Sequence, residues 1–352
     1  MTGRGSVVRG AAGAVLAVLA LLAPLLSAEY VLSLLTLMLI TALLATSVNM
    51  PAGEVGLVSM GHAGIAAAAA YGVAYGVKHG FGLGVQLLLA LALTLLVSAV
   101  YAATTMRTNG IVFLMITLAL GVMVYGVALK WSAVTGGQSG LTGIQRPDAF
   151  RTGPAFYYFV LAVCVLVVLL LHLFARSPLG LMLRGIRDSE HRMSSLGYAI
   201  APAKFVAVMV SGVVAGVAGV LLVWHSEFMS PATAAFERSA MAVVIIIIGG
   251  IGSVMGPLLG AVLVVGIQYW LSSYLERWPT LLGALFIAVV IFLPGGLASM
   301  FRRGTARPAP GTVHPALDAL LPSGWRRRTH EVSAPPEPPV GSPAIDRKGE
   351  GT

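Results

Sequence analysis

The chain has 352 residues, of which 57% are hydrophobic and only 10% charged, against roughly 25% charged in soluble domains, so water is excluded as the solvent for most of its surface. Lys and Arg number 22 against 13 Asp and Glu, a net charge of +9; with the basic residues gathered in loops, this reads as helix orientation and headgroup contact, with no nucleic-acid partner. The lone cysteine, Cys164, excludes an intramolecular disulfide and a cysteine-built zinc site.

Stretches free of Asp, Glu, Lys and Arg run 10–28, 30–53, 55–77, 79–106, 108–129, 152–175, 205–226, 239–275 and 278–301. Eight of the nine are 19 to 28 residues long, close to the roughly 20 that cross the hydrocarbon of a bilayer as a helix. The 37-residue stretch 239–275 holds two spans, divided at Gly249-Gly250-Ile251-Gly252-Ser253-Val254-Met255-Gly256-Pro257. The prediction is an all-α, polytopic transmembrane bundle of about ten spans. Helices are favoured because each satisfies its own backbone in lipid, and no alternating pattern suggests a barrel.

With the N-terminus inside, the inner segments carry Arg4, Arg9, Arg107, Arg176, Arg184, Arg187, Arg192, Lys204, Arg302, Arg303 and Arg307. The outer ones carry Lys78, Lys130, Arg146, Arg151, Arg238 and Arg277. Eleven against six favours both termini on the cytoplasmic side. A competing reading of the first apolar run as a signal peptide is disfavoured by Leu26 where a small residue is wanted.

Residues 1–303 form the membrane domain. Residues 176–204 make an inner loop with seven charges, and 304–352 form a Pro- and Arg-rich cytoplasmic tail that reads as disordered. Gly252, Gly256 and Gly260, like Gly212 and Gly216, recur at four-residue spacing, which suits close helix packing. Among the few ionisable residues within spans, His62 is the deepest, either a packing histidine or a pathway lining. There is no Gly-x-x-x-x-Gly-Lys-Ser/Thr phosphate loop, no carboxylate ladder for a proton relay, and no clustered nucleophile, base or metal set.

Several strings carry a resemblance: Gly56-Leu57-Val58-Ser59-Met60-Gly61-His62-Ala63, Arg107-Thr108-Asn109-Gly110, and Thr135-Gly136-Gly137-Gln138-Ser139-Gly140-Leu141-Thr142-Gly143. Ser177-Pro178-Leu179-Gly180, Arg184-Gly185-Ile186-Arg187-Asp188-Ser189-Glu190, Leu196-Gly197, Gly249-Gly250-Ile251-Gly252-Ser253 and Leu293-Pro294-Gly295-Gly296 follow in order. Together they resemble the branched-chain amino acid ABC permeases of the LivM/LivH type, closer to LivM, over residues 50–300. The sequence departs at Met193-Ser194-Ser195, at Ser139, at Gly295 and in its longer tail.

The resemblance implies a non-enzymatic permease in the cell membrane that binds no cofactor, ATP and Mg being held by partners. Those partners would be two ATP-binding subunits, a second permease subunit, an extracytoplasmic solute-binding protein and membrane lipid. It implies ATPase coupling through Gly180, Arg184, Arg187, Glu190, Leu196 and Gly197 in the 176–204 loop. It gives His62, Thr135, Gly136, Gly137, Gln138 and Thr142 to the pathway or its outer gate. The cargo it implies is branched-chain or other small amino acids. Urea or short amides carried by the same machinery, and a stand-alone carrier or channel, remain open alternatives.

Overall fold

The structure, a computed structural model, describes residues 29–272 together with 280, 283, 296 and 297. The expected first span (10–28), last span (278–301), 304–352 tail and both termini lie outside the described residues. Five described helices are long and apolar enough to cross a membrane: α1 (Glu29–Glu54), α3 (Leu83–Thr105), α4 (Gly110–Lys130), α5 (Gly153–Arg176) and α8 (Ile200–Ser226). Between and after them come α2 (His62–Lys78), α6 (Pro178–Asp188), α7 (Glu190–Ser195), α9 (Phe236–Gly249) and α10 (Gly256–Ser272). The described residues are thus predominantly helical, as expected of a transmembrane bundle. One departure is a two-residue antiparallel pairing of β1 (Leu141–Thr142) with β2 (Phe228–Met229), in register Leu141 to Met229.

Most charge-free gaps end within a few residues of a helix end, because a charged residue is where the chain leaves lipid. Two gaps are different. Residues 55–61, expected to be the first third of a helical span, run non-helically from the end of α1 into the bundle before α2 starts at His62. The stretch 239–275 divides between Gly249 and Gly256, where its glycines fall, but α9 spans only 14 residues and is preceded by a short 3-10 helix, Pro231–Ala234.

Helix α8 is the hub, packing against α1, α2 and α3. Its contacts are close because they are made through glycine. A Cβ on Gly219 would lie 1.9 Å from the Ala66 carbonyl oxygen, and one on Gly216 would lie 2.5 Å from Thr94 of α3. The near-continuous Ala and Gly of α2 serve the same end, and His62 through Ala70 are all buried. By contrast, α3, α4 and α5 leave Leu88, Leu96, Met115, Met123, Leu166 and Leu170 exposed, an apolar perimeter of the kind lipid or a partner helix covers.

Candidate functional site

The site is built on two places where the backbone leaves the helical state, plus the loop between α5 and α8.

The first place is the turn at Ser59–Ala63. His62 is 1% exposed. Its Nδ1 lies 2.8 Å from Ser59 Oγ and its Nε2 lies 3.0 Å from Ser211 Oγ on α8. Ser211 donates its own proton to the Val208 carbonyl, so it accepts from Nε2–H, and Ser59 Oγ–H is left to donate to Nδ1. One neutral tautomer therefore satisfies every group. Around it the Met60 N–H donates to Thr117 Oγ1 (3.2 Å), and Tyr101 donates to the Gly61 carbonyl (3.1 Å). Finally, the Ala63 N–H donates to Ser239 Oγ on α9 (3.1 Å). Irregular backbone inside a membrane must find its partners in protein, and these side chains are the partners. His62 is an enclosed, doubly anchored ring and lines neither the cavity beside Asn49 and Gly252 nor the one beside Thr94 and Gly216.

The second place is the break between α9 and α10. Asn49 on α1 donates Nδ2–H to the Ser253 carbonyl (3.0 Å) and accepts the Gly252 N–H at Oδ1 (2.8 Å). One turn further on, Gly53 meets Gly252 backbone to backbone; a Cβ at Gly53 would lie 2.5 Å from Gly252 Cα. Gly252 has φ of +73°, in the left-handed region that favours glycine. The spacing of Gly252, Gly256 and Gly260 therefore does not mark one helical face. Gly252 sits in the turn against α1, while Gly256 and Gly260 close on the end of α9 and on the Ile245 carbonyl. Gly296 abuts the same break, where a Cβ would meet Gly250 N at 2.4 Å.

The loop 176–204 folds into α6 and α7, turned sharply from α5 at Ser177-Pro178. Ser177 caps α6 by accepting from Gly180 N. Gly180 is buried because the corner leaves 2.4 Å between its would-be Cβ and the Ala175 carbonyl oxygen. Leu183 and Ile186 face inward. Three of the charged residues are nonetheless tied to the bundle. Arg184 Nε pairs with Glu54 at 2.6 Å and Arg184 also donates to the Ala175 carbonyl. Arg187 donates to the Gly53 carbonyl at the end of α1, where a cation complements the helix dipole. Glu190 sits 3.0 Å from Lys204 Nζ through both carboxylate oxygens, and Asn109, just before α4, bridges the pair. Of the six residues expected to couple, Arg187, Leu196 (71% exposed) and Gly197 are exposed, and the apolar Leu196 is joined by Leu179, Leu181 and Tyr198.

At the other end of the bundle, Thr135 is buried and caps the turn after α4, donating to the Ala128 and Trp131 carbonyls and accepting from Gly137 N. Gly136 and Gly137 both have positive φ. Gln138 and Thr142 are exposed. The Thr-Gly-Gly string is thus a turn that presents Gln138 and Thr142. Arg146 locks this end: it donates to the Trp224 and His225 carbonyls, pairs with Glu227 at 3.3 Å and lies over the Phe156 ring.

Lys204, Asn109, Asn49, Ser211 and Ser239 carry much of this architecture, yet single residues at span edges or within apolar runs gave no sign of it. The exception is Asn109, which belongs to the Arg-Thr-Asn-Gly string. Among the described residues no cluster of His, Cys, Asp and Glu could hold a metal.

Residues 30–293 match the family described as "Branched-chain amino acid transport system / permease component". The chain is 28% identical over 298 residues to the high-affinity branched-chain amino acid transport system permease protein LivM of Salmonella typhimurium, covering 76% of this chain and 69% of that protein. It is 28% identical over 315 residues to the protein of the same name from Escherichia coli, covering 82% and 74% respectively. No solved structure matches it significantly.

Proposed function

The chain belongs to the family of branched-chain amino acid transport permease components, and from that premise we propose that it is one membrane subunit of an ATP-driven importer for branched-chain or other small amino acids. It works with a second permease subunit, two ATP-binding subunits and an external solute-binding protein. ATP and Mg belong to the ATP-binding subunits, and both termini lie on their side. The observation that carries this reading is the α6–α7 element. Its inner side is fastened to α1, α4 and α8 by Arg184, Arg187 and Glu190, while Leu179, Leu181, Leu196 and Tyr198 stay bare. A lever needs this arrangement, a gripping face outward and a fixed face inward. The exposed apolar side chains seat in the ATPase, and the charged ones pass its movement to the helices.

Gln138 and Thr142, at the opposite end, face the solute-binding protein. The two non-helical breaks also suit a stand-alone carrier, a class in which broken helices build the substrate site. One experiment separates the two readings. The chain is coexpressed with candidate ATP-binding subunits and a sister permease, purified through a tag on this chain, and reconstituted with leucine and a binding protein. Copurification of the ATPase and ATP-dependent leucine uptake, both lost in Leu181→Asp/Leu196→Asp, support the importer. Leucine uptake by this chain alone, without nucleotide, overturns it.

A further inference from the structure

Glu237 and Arg238 are exposed in the first turn of α9, and the charge-free-gap count assigns them to the outer surface. Their level in the bundle is different. Ser239, the next residue, takes the Ala63 N–H, and the adjoining His62 reaches Ser211. Ser211 is the twelfth residue of the 27 in α8, roughly 16 Å of rise from one end and roughly 22 Å from the other. Thr117, which holds Met60, is likewise well inside α4. The start of α9 therefore lies near mid-span. The chain reaches it from β2 through the short 3-10 helix Pro231–Ala234, whose Pro231 and Ala234 are buried.

Two charged side chains at mid-span cannot face hydrocarbon; such residues face water-filled cavities or paired charges. Among the described residues neither has an ion-pair partner, and the other paired charges sit toward the ends of the long helices: Glu54 with Arg184, Glu190 with Lys204, Arg146 with Glu227. We propose that Glu237 and Arg238 line the translocation pathway at its midpoint and form a way station for the zwitterionic backbone of an α-amino acid. Arg238 takes the carboxylate, and Glu237 takes the ammonium. The side chain of the cargo lies along the exposed Phe236, which is indifferent to its exact shape. This assignment rests on the importer reading above and names the substrate chemistry within it.

The test uses the complete reconstituted importer. Glu237→Cys and Phe236→Cys are treated with a charged, membrane-impermeant thiol reagent in the resting and nucleotide-trapped states. The complex with wild-type Glu237 and Phe236 is the blank, and labelling is read on this chain, whose single cysteine, Cys164, is buried. The proposal expects labelling in at least one state, slowed by leucine. It also expects Glu237→Gln and Arg238→Gln each to raise the KM for uptake about tenfold, the loss of one charged hydrogen bond. Arg238→Gln should in addition narrow the preference for leucine over leucinamide, which lacks the carboxylate.

The proposal is overturned if neither position labels in any state, or if both Gln variants transport leucine with wild-type KM. Separation of the two permease subunits in Glu237→Gln also overturns it, since the charge would then be an intersubunit bridge. If the wild-type complex itself shows no ATP-driven uptake, it is the importer reading that falls.

Discussion

Lys204 Nζ lies 3.0 Å from both carboxylate oxygens of Glu190, and the lysine is 1% exposed although it sits only four residues beyond the start of α8. The carboxylate is more open, at 38% of its side chain. Asn109 touches both. The junction of α7 and α8 is therefore held by a buried cation whose countercharge comes from the short α7. If α7 moves, Lys204 must follow it or lose its partner.

The two partners should respond unequally. Glu190→Ala strands a buried ammonium with one amide and is expected to destabilise by ~3–5 kcal/mol, whereas replacing both charges removes that penalty. Thermal unfolding of the purified complex should place Glu190→Ala lowest, with Glu190→Ala/Lys204→Met clearly above it. Additive single effects would contradict the geometry.

The contact of Gly53 with Gly252 sets a second expectation. Gly53→Ala puts a methyl group 2.5 Å from backbone, and overpacking of this kind costs ~1–3 kcal/mol. Gly126→Ala, in α4 with nothing within 4 Å of the new Cβ, should be neutral or stabilising by up to ~1 kcal/mol. Expression and melting temperature of the two variants should diverge accordingly.

His62 bridges Ser59 and Ser211, so His62→Leu leaves two hydroxyls to find new partners in an enclosed space. A loss of ~1–3 kcal/mol is expected. Ser211→Ala alone should cost less, because only one ring nitrogen then lacks a partner. If His62→Leu melted like wild type, the ring would not be holding the turn.

At the far end, Arg146→Ala removes the donor to two carbonyls at the end of α8 and the countercharge of Glu227. A cost of ~1–2 kcal/mol follows from the partly buried helix-terminus geometry. Since the Arg146 side chain is only 19% exposed, added salt should reproduce little of this loss. Melting curves at low and high ionic strength would show it.

Much of the fold is legible in the chain itself. Helix ends such as Glu54, Lys78, Lys130 and Arg176 fall where they do because a charge seeks the edge of hydrocarbon, and the break between Gly249 and Gly256 shows as a glycine-rich run. The strings that carry the family resemblance fold into the turns and corners described above, notably Thr135–Gly140 and Ser177–Gly180. What composition could not convey is depth. Arg238 reads as a loop residue because the count treats every charge as lying outside.

The apolar sequence by itself thus determined that this is a helical membrane protein and where most of its helices begin and end. The exclusion of charge from lipid is a one-dimensional constraint, written along the chain. Tertiary structure decided which charges face inward, as Lys204 does. It also decided that Asn49 grips a turn two hundred residues away and that α2 and α9 begin side by side, level with the middle of α8. Those outcomes depend on long-range partners for buried polar groups, and a partner distant in sequence leaves no mark on the local pattern.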